Sequence, residues 1–588
     1  MILMIWRKPN NQTYSMCGIC GFVNYRDDKL LSRMTQILGH RGPDSGGFFI
    51  SSSVSFGHRR LSIIDLSNKG KQPMFNEDKT VVIVFNGEIF NFQELREKLI
   101  KSGHKFKSKT DTETVVHCYE QYGIEKTVSQ LRGFFAFVLW DSKRKTIFLV
   151  RDRIGVKPLY YFQEGKKLFF ASEIKAILEC EEIKKTVNER AYKQYLVFQA
   201  SLGEETMFEG IKKVLPATIT AFKEGKLVKT KYWELKKNDE INDLGEKEKA
   251  ERFKDLLLES VETRLISDVP LGVLLSGGLD SSSIVALMSE LGKKQIKTFS
   301  VGFGEPDDEL KYARLVANRY KTDHIEIIIK PKEIQKVLTE IVWHQDEPLA
   351  DGGGIATYLT AAEVNKHVKV VLVGEGGDEF FGGYSWYKLG LSQSRIVPEE
   401  IRKRIYFYLT TFSRQGMYPG FKKMFDKNDD DFLSKMIKFE IENILPNSLC
   451  MKVDKMMSAF GLEAREPFLD YKLAEFCFSL NANDKISFNQ TKVLFRKIMA
   501  DLLPKEILKR KKHGFLLPSE RWLMGPLKKI TQEMIFSRES FSSRFFSEEE
   551  LGSLFEQSTS LLKIEKASLL WRLLIFEFWY KINFEKVV

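Results

Sequence analysis

An apolar run, Val269–Leu275, passes directly into Ser276-Gly277-Gly278-Leu279-Asp280-Ser281-Ser282 and then into a helical stretch through Leu291. Strand, glycine turn and helix in that order restrict this part of the chain to a parallel sheet, where strand ends and helix N-termini share one edge. The glycines let backbone approach a ligand, and the helix N-terminus turns several N–H groups toward an anion. Ser276, Ser281 and Ser282 add hydroxyl donors, and Asp280 can hold Mg2+ against phosphate oxygens. The chain contains no GxxxxGK[ST] sequence. An aspartate inside the loop, without that lysine, suits a grip on pyrophosphate better than one on a γ-phosphate. A mere Gly-Ser turn would not require this combination.

A second loop, Gly374-Glu375-Gly376-Gly377-Asp378-Glu379, follows the apolar run Val368–Val373, with Gly382-Gly383-Tyr384 beyond it. Thr298–Phe303 is another strand of the fully buried kind, and helical segments separate these strands. Two acid-bearing glycine loops at strand C-terminal ends face one crevice of such a sheet. Glu375 and Asp378 can hold a metal there, or orient an amine and a nucleotide; taken alone, the loop reads equally well as a solvated acidic turn. The last ~190 residues read as mostly helical, as at Leu561–Trp579.

The N-terminal third has a different rhythm. Short β-like runs (Gly21–Asn24, Val81–Phe85, Phe134–Trp140, Thr146–Val150, Leu168–Ala171) alternate with turn sequences such as Arg41-Gly42-Pro43-Asp44 and Asn86-Gly87. Helical pieces intervene at Phe92–Lys101 and Thr112–Gln121, which predicts packed sheets with helices outside. Between the two regions Lys236–Ala250 is charged and poor in apolar residues, a linker whose end can already belong to the next helix.

Met16-Cys17-Gly18-Ile19 followed by Phe22 resembles the start of class II (N-terminal nucleophile) glutamine amidotransferases. A cysteine thiolate there attacks the side-chain amide of glutamine, and a base must take its proton. As first residue of a mature chain, Cys17 would offer its own α-amine, of pKa near ~8, as that base. Asn86, Gly87 and Glu88 fall in NGEI[YF]N, Arg60 in HxRLSI and Asp111 in TDTE, and together with Arg41-Gly42-Pro43-Asp44 they follow the order of the family from Cys17 to about Trp233. The resemblance makes Asn86 and Gly87 donors to the oxyanion, Arg60 a clamp on the substrate α-carboxylate and Asp111 a partner of its α-ammonium. Singly, each has a blander reading: a surface arginine, an Asn-Gly hairpin turn, an aspartate helix cap. Cys17 and Cys20 also form a CxxC, but no second CxxC or histidine cluster accompanies it, so Cys20 reads as a small core residue.

The later loops resemble the PP-loop synthetase domain of asparagine synthetases. SGGLDSS and GEGxDExFGGY are followed by Asp454-Lys455-Met456-Met457, by Gly461-Leu462-Glu463-Ala464-Arg465-Glu466-Pro467-Phe468-Leu469-Asp470, and by a KxLxRK-like segment from Lys492 to Lys497. The resemblance implies an adenosine pocket at Leu274, Val301, Val373 and Gly374, and a pyrophosphate site at Ser276–Ser282. It implies Mg2+ on Asp280 and Asp378, a charge-neutralising Lys492, and Glu375 as the acid tied to adenylate formation. The expected architecture is α/β with two domains: an αββα sandwich, then a doubly wound parallel sheet with a largely helical C-terminal part. Residues 1–16 are expected as an extension outside the mature chain, 17–233 as the glutaminase, 234–250 as the linker and 251–588 as the synthetase. The implied reaction converts ATP, aspartate and glutamine into AMP, pyrophosphate, asparagine and glutamate. Asp346–Tyr358 departs from DEPxADxSxIPTY, with Gly353 for serine and Ala356 for proline, so another carboxylate, such as a sugar acid, stays open as acceptor.

Composition narrows the remaining classes. The longest apolar runs are far below the ~18 residues that span a bilayer, and the first fifteen residues lack the order of a secretory signal. Six cysteines in 588 residues make no disulfide framework. The net charge of +12 is spread among acids, and its densest cluster, Lys509-Arg510-Lys511-Lys512, has no interleaved aromatics to stack bases. These features favour a cytoplasmic compartment without nucleic-acid or membrane partners; the resemblance implies small-molecule substrates and admits a homodimer.

Overall fold

The structure, a computed structural model, describes residues 16–304, 308–329, 331–411, 419–426, 430–512, 519–537, 539–556 and 560–585. All but Met16 of the expected extension lies outside these residues.

Twelve strands build the N-terminal part: β1 (Gly18–Val23), β2 (Ser45–Ile50), β3 (Val54–Arg60), β4 (Met74–Phe75), β5 (Val81–Ile89), β6 (Gly133–Asp141), β7 (Thr146–Arg151), β8 (Tyr160–Glu164), β9 (Lys167–Ala171), β10 (Ile211–Lys213), β11 (Thr218–Lys223) and β12 (Lys226–Lys231). They form two six-stranded sheets, ordered β10-β8-β9-β1-β3-β2 and β12-β11-β7-β6-β5-β4. Side chains of a strand alternate between faces. In β5, Val82 and Val84 therefore meet Ile19, Val23 and Phe56 of the other sheet, while Ile83 and Phe85 face outward. Both faces are covered, because α2 (Phe92–Lys101) and α3 (Asp111–Gln130) pack on that outer face through Leu95, Leu99, Val115 and Val116. Likewise α1 (Asp28–Ile37) lays Leu30, Leu31 and Met34 against Cys20 and Phe22. Coverage on both faces explains why β5 and β6 read as continuous apolar runs. The hairpin reading of Asn86-Gly87 fails: both lie inside β5, opposite Ala136 and Phe135.

The C-terminal part holds a five-stranded parallel sheet: β13 (Leu271–Leu274), β14 (Lys297–Gly302), β15 (Asp323–Ile328), β16 (Val370–Leu372) and β17 (Glu463–Arg465). Its order, β15-β14-β13-β16-β17, reverses at β13. Ligands bind at such switch points, outside the strand C-termini. Half of the charged linker is helical, in Glu240–Asp243 and the start of Glu246–Thr263. It is also docked, with the Asn238 amide donating to Ser479 Oγ at 2.9 Å. Among the described residues no helix is long and apolar enough to cross a membrane.

Candidate active site

One cavity is lined by Cys17, Arg60, Gln72, Asn86, Gly87, Glu88, Asp111 and, from β17, Glu463. Cys17 immediately precedes β1, with Sγ 3.7 Å from the Leu61 carbonyl. Burial pushes its thiol up to about 12, so forming a thiolate there would need a base. Nearby His58 is unsuited: burial pulls its ring down to about 3, and Nε2 lies against the Phe85 carbonyl at 3.3 Å. Asn86 is 1% exposed, and its Nδ2 meets no hydrogen-bond acceptor. A buried amide donor without a partner is costly unless a ligand completes it. Gly87 has φ +146°, and a Cβ there would stand 2.1 Å from the Phe134 carbonyl, so the strand needs glycine at this point.

Arg60, last in β3, is aimed by three carbonyls: Nη1 donates to Ser67 at 3.0 Å, and Nη2 to Ile64 at 3.1 Å and Asp65 at 2.6 Å. Asp111 opens α3, but Thr110 is the cap, since its side chain accepts from the Glu113 amide. The Asp111 carboxylate accepts from the Ile89 amide at 2.9 Å and the Thr112 amide at 2.7 Å. Burial nevertheless pushes it up to about 6. Glu88 accepts from Arg465 Nη2 at 3.2 Å, which joins the cavity wall to β17.

The crevice at the end of β13 gathers the other group. Leu274 ends β13, Val301 lies in β14, and Val373 and Gly374 follow β16, so three neighbouring strands present them at one edge. Gly277 has φ +69°, and a Cβ would press within 2.6 Å of Tyr312, where the next helix crosses. Ser276 and Ser281 hydroxyls lie 3.1 Å apart, and the fully buried Ser282 Oγ has no partner. The two glycine loops touch: a Cβ on Gly377 would meet Asp280 Oδ1 at 2.8 Å. Lys492 Nζ stands between Asp280, at 2.5 and 2.6 Å, and Asp378, at 2.8 Å. A Cβ on Gly383 would fall 2.4 Å from Lys492 Cε, so glycine clears the lysine's path. Burial drives both carboxyls upward; at Asp378 the ammonium groups of Lys492 and Lys512 outweigh it and hold the group below its usual range. Two carboxylates and two hydroxyls converging here are hard oxygen donors, the set that Mg2+ takes.

Glu375 lies 3.6 Å from Lys452 Nζ, which also pairs with Asp351 at 3.1 Å. Lys452 belongs to the helix Cys450–Ser458. That helix reaches back to the first cavity through Arg41, whose side chain is fully buried. Arg41 Nη2 donates to Asp454 at 2.8 Å, Nη1 to Ser458 Oγ at 3.1 Å, and Nε to the Cys17 carbonyl at 3.3 Å.

The sequence alone assigns no site role to Gln72, Lys452, Glu463, Arg510 or Lys512. Arg510 donates to the Gly277 carbonyl at 2.8 Å, and Lys512 pairs with Asp378. The basic run thus turns two of its members onto the phosphate loops; its proximity to the Lys492 segment was the available signal.

Residues 252–581 match the family model described as asparagine synthase, and residues 16–233 that of the glutamine amidotransferase domain. Glutamine-hydrolysing asparagine synthetase 1 of Bacillus subtilis is 33% identical to this chain, over 97% of each. Glutamine-hydrolysing asparagine synthetase B of Escherichia coli is 30% identical over 90% of this chain and 87% of its own. Among solved structures, the glutamine phosphoribosylpyrophosphate amidotransferase of B. subtilis aligns with 14% identity and a TM-score of 0.29, over 53% of this chain and 65% of that one.

Proposed function

The chain belongs to the asparagine synthase family, and from that premise we propose that it is a glutamine-hydrolysing asparagine synthetase. Residues 17–233 would carry the glutaminase, 234–250 the connection and 251–588 the synthetase, in a cytoplasmic homodimer acting on small molecules. The observation that carries the reading is the helix Cys450–Ser458. It binds Arg41, which holds the carbonyl of Cys17, and it supplies Lys452 to Glu375. A thiol site and a phosphate-loop site are thereby built onto one element.

In the first half-reaction the Cys17 thiolate attacks the side-chain amide carbon of glutamine. Arg60 and Asp111 hold the substrate's α-carboxylate and α-ammonium, with Glu88 beside them. Asn86 Nδ2 and the Gly87 amide receive the oxyanion, ammonia leaves, and water releases glutamate from the thioester. With the thiol raised by burial and no histidine among the described residues lining the cavity, the base of this reading is the α-amine of Cys17 as first residue of the working chain.

In the second half-reaction the β-carboxylate of aspartate attacks the α-phosphorus of ATP and pyrophosphate departs. Leu274, Val301, Val373 and Gly374 hold the adenosine, and Ser276–Ser282 cradle the leaving group while Lys492 offsets its growing charge. Mg2+ on Asp280 and Asp378, when bound, would neutralise the phosphates. Ammonia then displaces AMP from the aspartyl adenylate, and confinement keeps that adenylate from water.

One observation favours a second acceptor. Where the family has serine, a Cβ on Gly353 would stand 3.5 Å from Lys452 Nζ. The missing side chain leaves room for a bulkier carboxylate, such as a sugar acid. ATP–pyrophosphate exchange across a panel of carboxylic acids separates the two. Exchange with aspartate is expected; exchange with another acid and none with aspartate would overturn the proposal.

A further inference from the structure

Away from both sites, four side chains converge on the outer face of the glutaminase sheet. Glu77 comes from the turn between β4 and β5, His104 from the connection between α2 and α3, and His117 and Glu120 from α3 itself. One ligand atom from each lies within 4.8 Å of all the others. The pairwise distances are those of a coordination shell. His104 Nδ1 is 3.1 Å from Glu77 Oε1 and 3.8 Å from Glu120 Oε2, and His117 Nδ1 is 3.2 Å from Glu77 Oε2 and 3.7 Å from Glu120 Oε2. Tetrahedral ligands bound at ~2.1 Å stand about 3.4 Å apart.

The second observation is His117. It is 1% exposed, yet neither ring nitrogen makes a hydrogen bond. Glu77 approaches Nδ1 at an angle that makes none, and Glu113 stays 3.8 Å from Nε2. A buried imidazole that makes no hydrogen bond among the described residues carries a desolvation cost that a bound ion would remove. The surroundings are already ordered as an outer shell. Asn76 Nδ2 donates to Glu120 Oε1 at 3.1 Å, the Lys105 amide donates to Glu77 Oε1 at 3.1 Å, and His104 Nε2 lies 3.2 Å from Gln121 Oε1. Groups of this kind fix the orientation of metal ligands. The ring of Phe106 packs edge-on against His117, 4.7 Å between centroids, and closes the apolar side.

We infer that Glu77, His104, His117 and Glu120 form a binding site for a divalent transition ion of the zinc class. Two imidazoles and two carboxylates suit a borderline ion, whereas Mg2+ and Ca2+ prefer all-oxygen shells. Four protein ligands leave no open position, which makes the ion structural. It joins three segments: the β4–β5 turn, the α2–α3 connection, and α3, the helix whose first residue is Asp111. The inference does not rest on the identity of the acceptor or on the reaction.

The test uses the full chain carrying Cys17→Ala, so that the cavity thiol takes no metal, stripped with a chelator and titrated with Zn2+ against a chromophoric chelator. One equivalent is expected, together with the visible absorption of tetrahedral Co2+ when cobalt replaces zinc. His117→Ala and Glu120→Gln should each weaken binding by about 10- to 100-fold or more. Glu120→Gln removes an exposed ligand and so guards against a variant that fails to fold, and circular-dichroism spectra matching the parent would show that both variants are folded. No stoichiometric Zn2+, or Zn2+ held equally well by both variants, would overturn the assignment.

Discussion

Replacing Asn86 by alanine separates a catalytic donor from a structural one. In the free enzyme Asn86 Nδ2 has no acceptor, although the residue is 1% exposed. An unpaired buried donor costs about 1–3 kcal/mol. Truncation returns that cost while removing only a short polar side chain, so folding stability should hold or rise. During glutamine hydrolysis the same nitrogen gains its acceptor in the oxyanion. Losing one such donor costs about 2.7–4 kcal/mol, or about 100- to 1,000-fold in kcat. Two assays on one preparation read the effect: glutamate release from glutamine, and asparagine formation with ammonium salt as nitrogen donor. The first should fall by that factor, the second should be unchanged, and the melting temperature should not drop. A loss below about tenfold, or a matching loss with ammonia, would refute the oxyanion role, and a large fall in melting temperature would refute the orphan-donor argument.

Three further outcomes are expected. Lys492→Met leaves Asp280 and Asp378 facing each other without their shared ammonium; ATP–pyrophosphate exchange should disappear while glutaminase activity persists, and exchange within tenfold of the parent would contradict the role given to Lys492. Because burial raises Asp111 to about 6, its contribution to stability is full below its unfolded pKa of about 4 and is lost between there and 6, whereas the anion that clamps an ammonium exists only above 6. The KM for glutamine should therefore rise as pH falls below about 6, and a flat profile down to pH about 5 would exclude Asp111 as the clamp. Gly353→Ser places a Cβ 3.1 Å from Asp351 Oδ1 and restores the family's hydroxyl beside Lys452; the KM for aspartate should fall, and an unchanged KM for aspartate together with loss of exchange on a bulkier acid would point to the second acceptor.

What could be read from the sequence was whatever the backbone itself demands. The glycine loops around Asp280 and Asp378 were legible because Gly277, Gly377 and Gly383 are placed where a Cβ would strike a neighbour. The long apolar runs gave β5 and β6, since sheets covered on both faces need no alternation. Strand β17 was not legible: Glu-Ala-Arg looks like a surface turn, and its burial depends on pairing with β16 and on partners that Arg465 finds far away in the chain, the Arg264 and Ile266 carbonyls and Glu88. Lys452 and Glu463 escaped for the same reason, their roles being set by partners that no local pattern announces. The break in α3 came from Gly123, at φ +76°, beyond which the helix resumes to Gln130. Propensity predicted the first segment and missed the second.

The two halves share apolar clusters, Phe90 and Phe134 lying with Leu257 and Val273, and Tyr192 and Tyr195 with Trp571 and Phe576, and directional contacts cross between them as well. Arg41 meets Asp454, Arg465 meets Glu88, and Arg132 meets Asp470 at 2.7 Å, each pair crossing between the sandwich and the parallel-sheet region. Taking charges out of water makes such pairs weak contributors to net stability, but removing one partner strands the other at a cost of about 3–5 kcal/mol. Their effect is therefore on position: an apolar seam tolerates sliding, whereas a guanidinium that must satisfy Asp454, Ser458 and the Cys17 carbonyl together has one place to be. That requirement fixes the nucleophile relative to the helix carrying Lys452, and through Lys452 relative to Glu375. For an enzyme that must deliver a neutral, easily protonated amine from one centre to an activated carboxylate at another, fixed separation is the property that matters, and here it is set by buried charge.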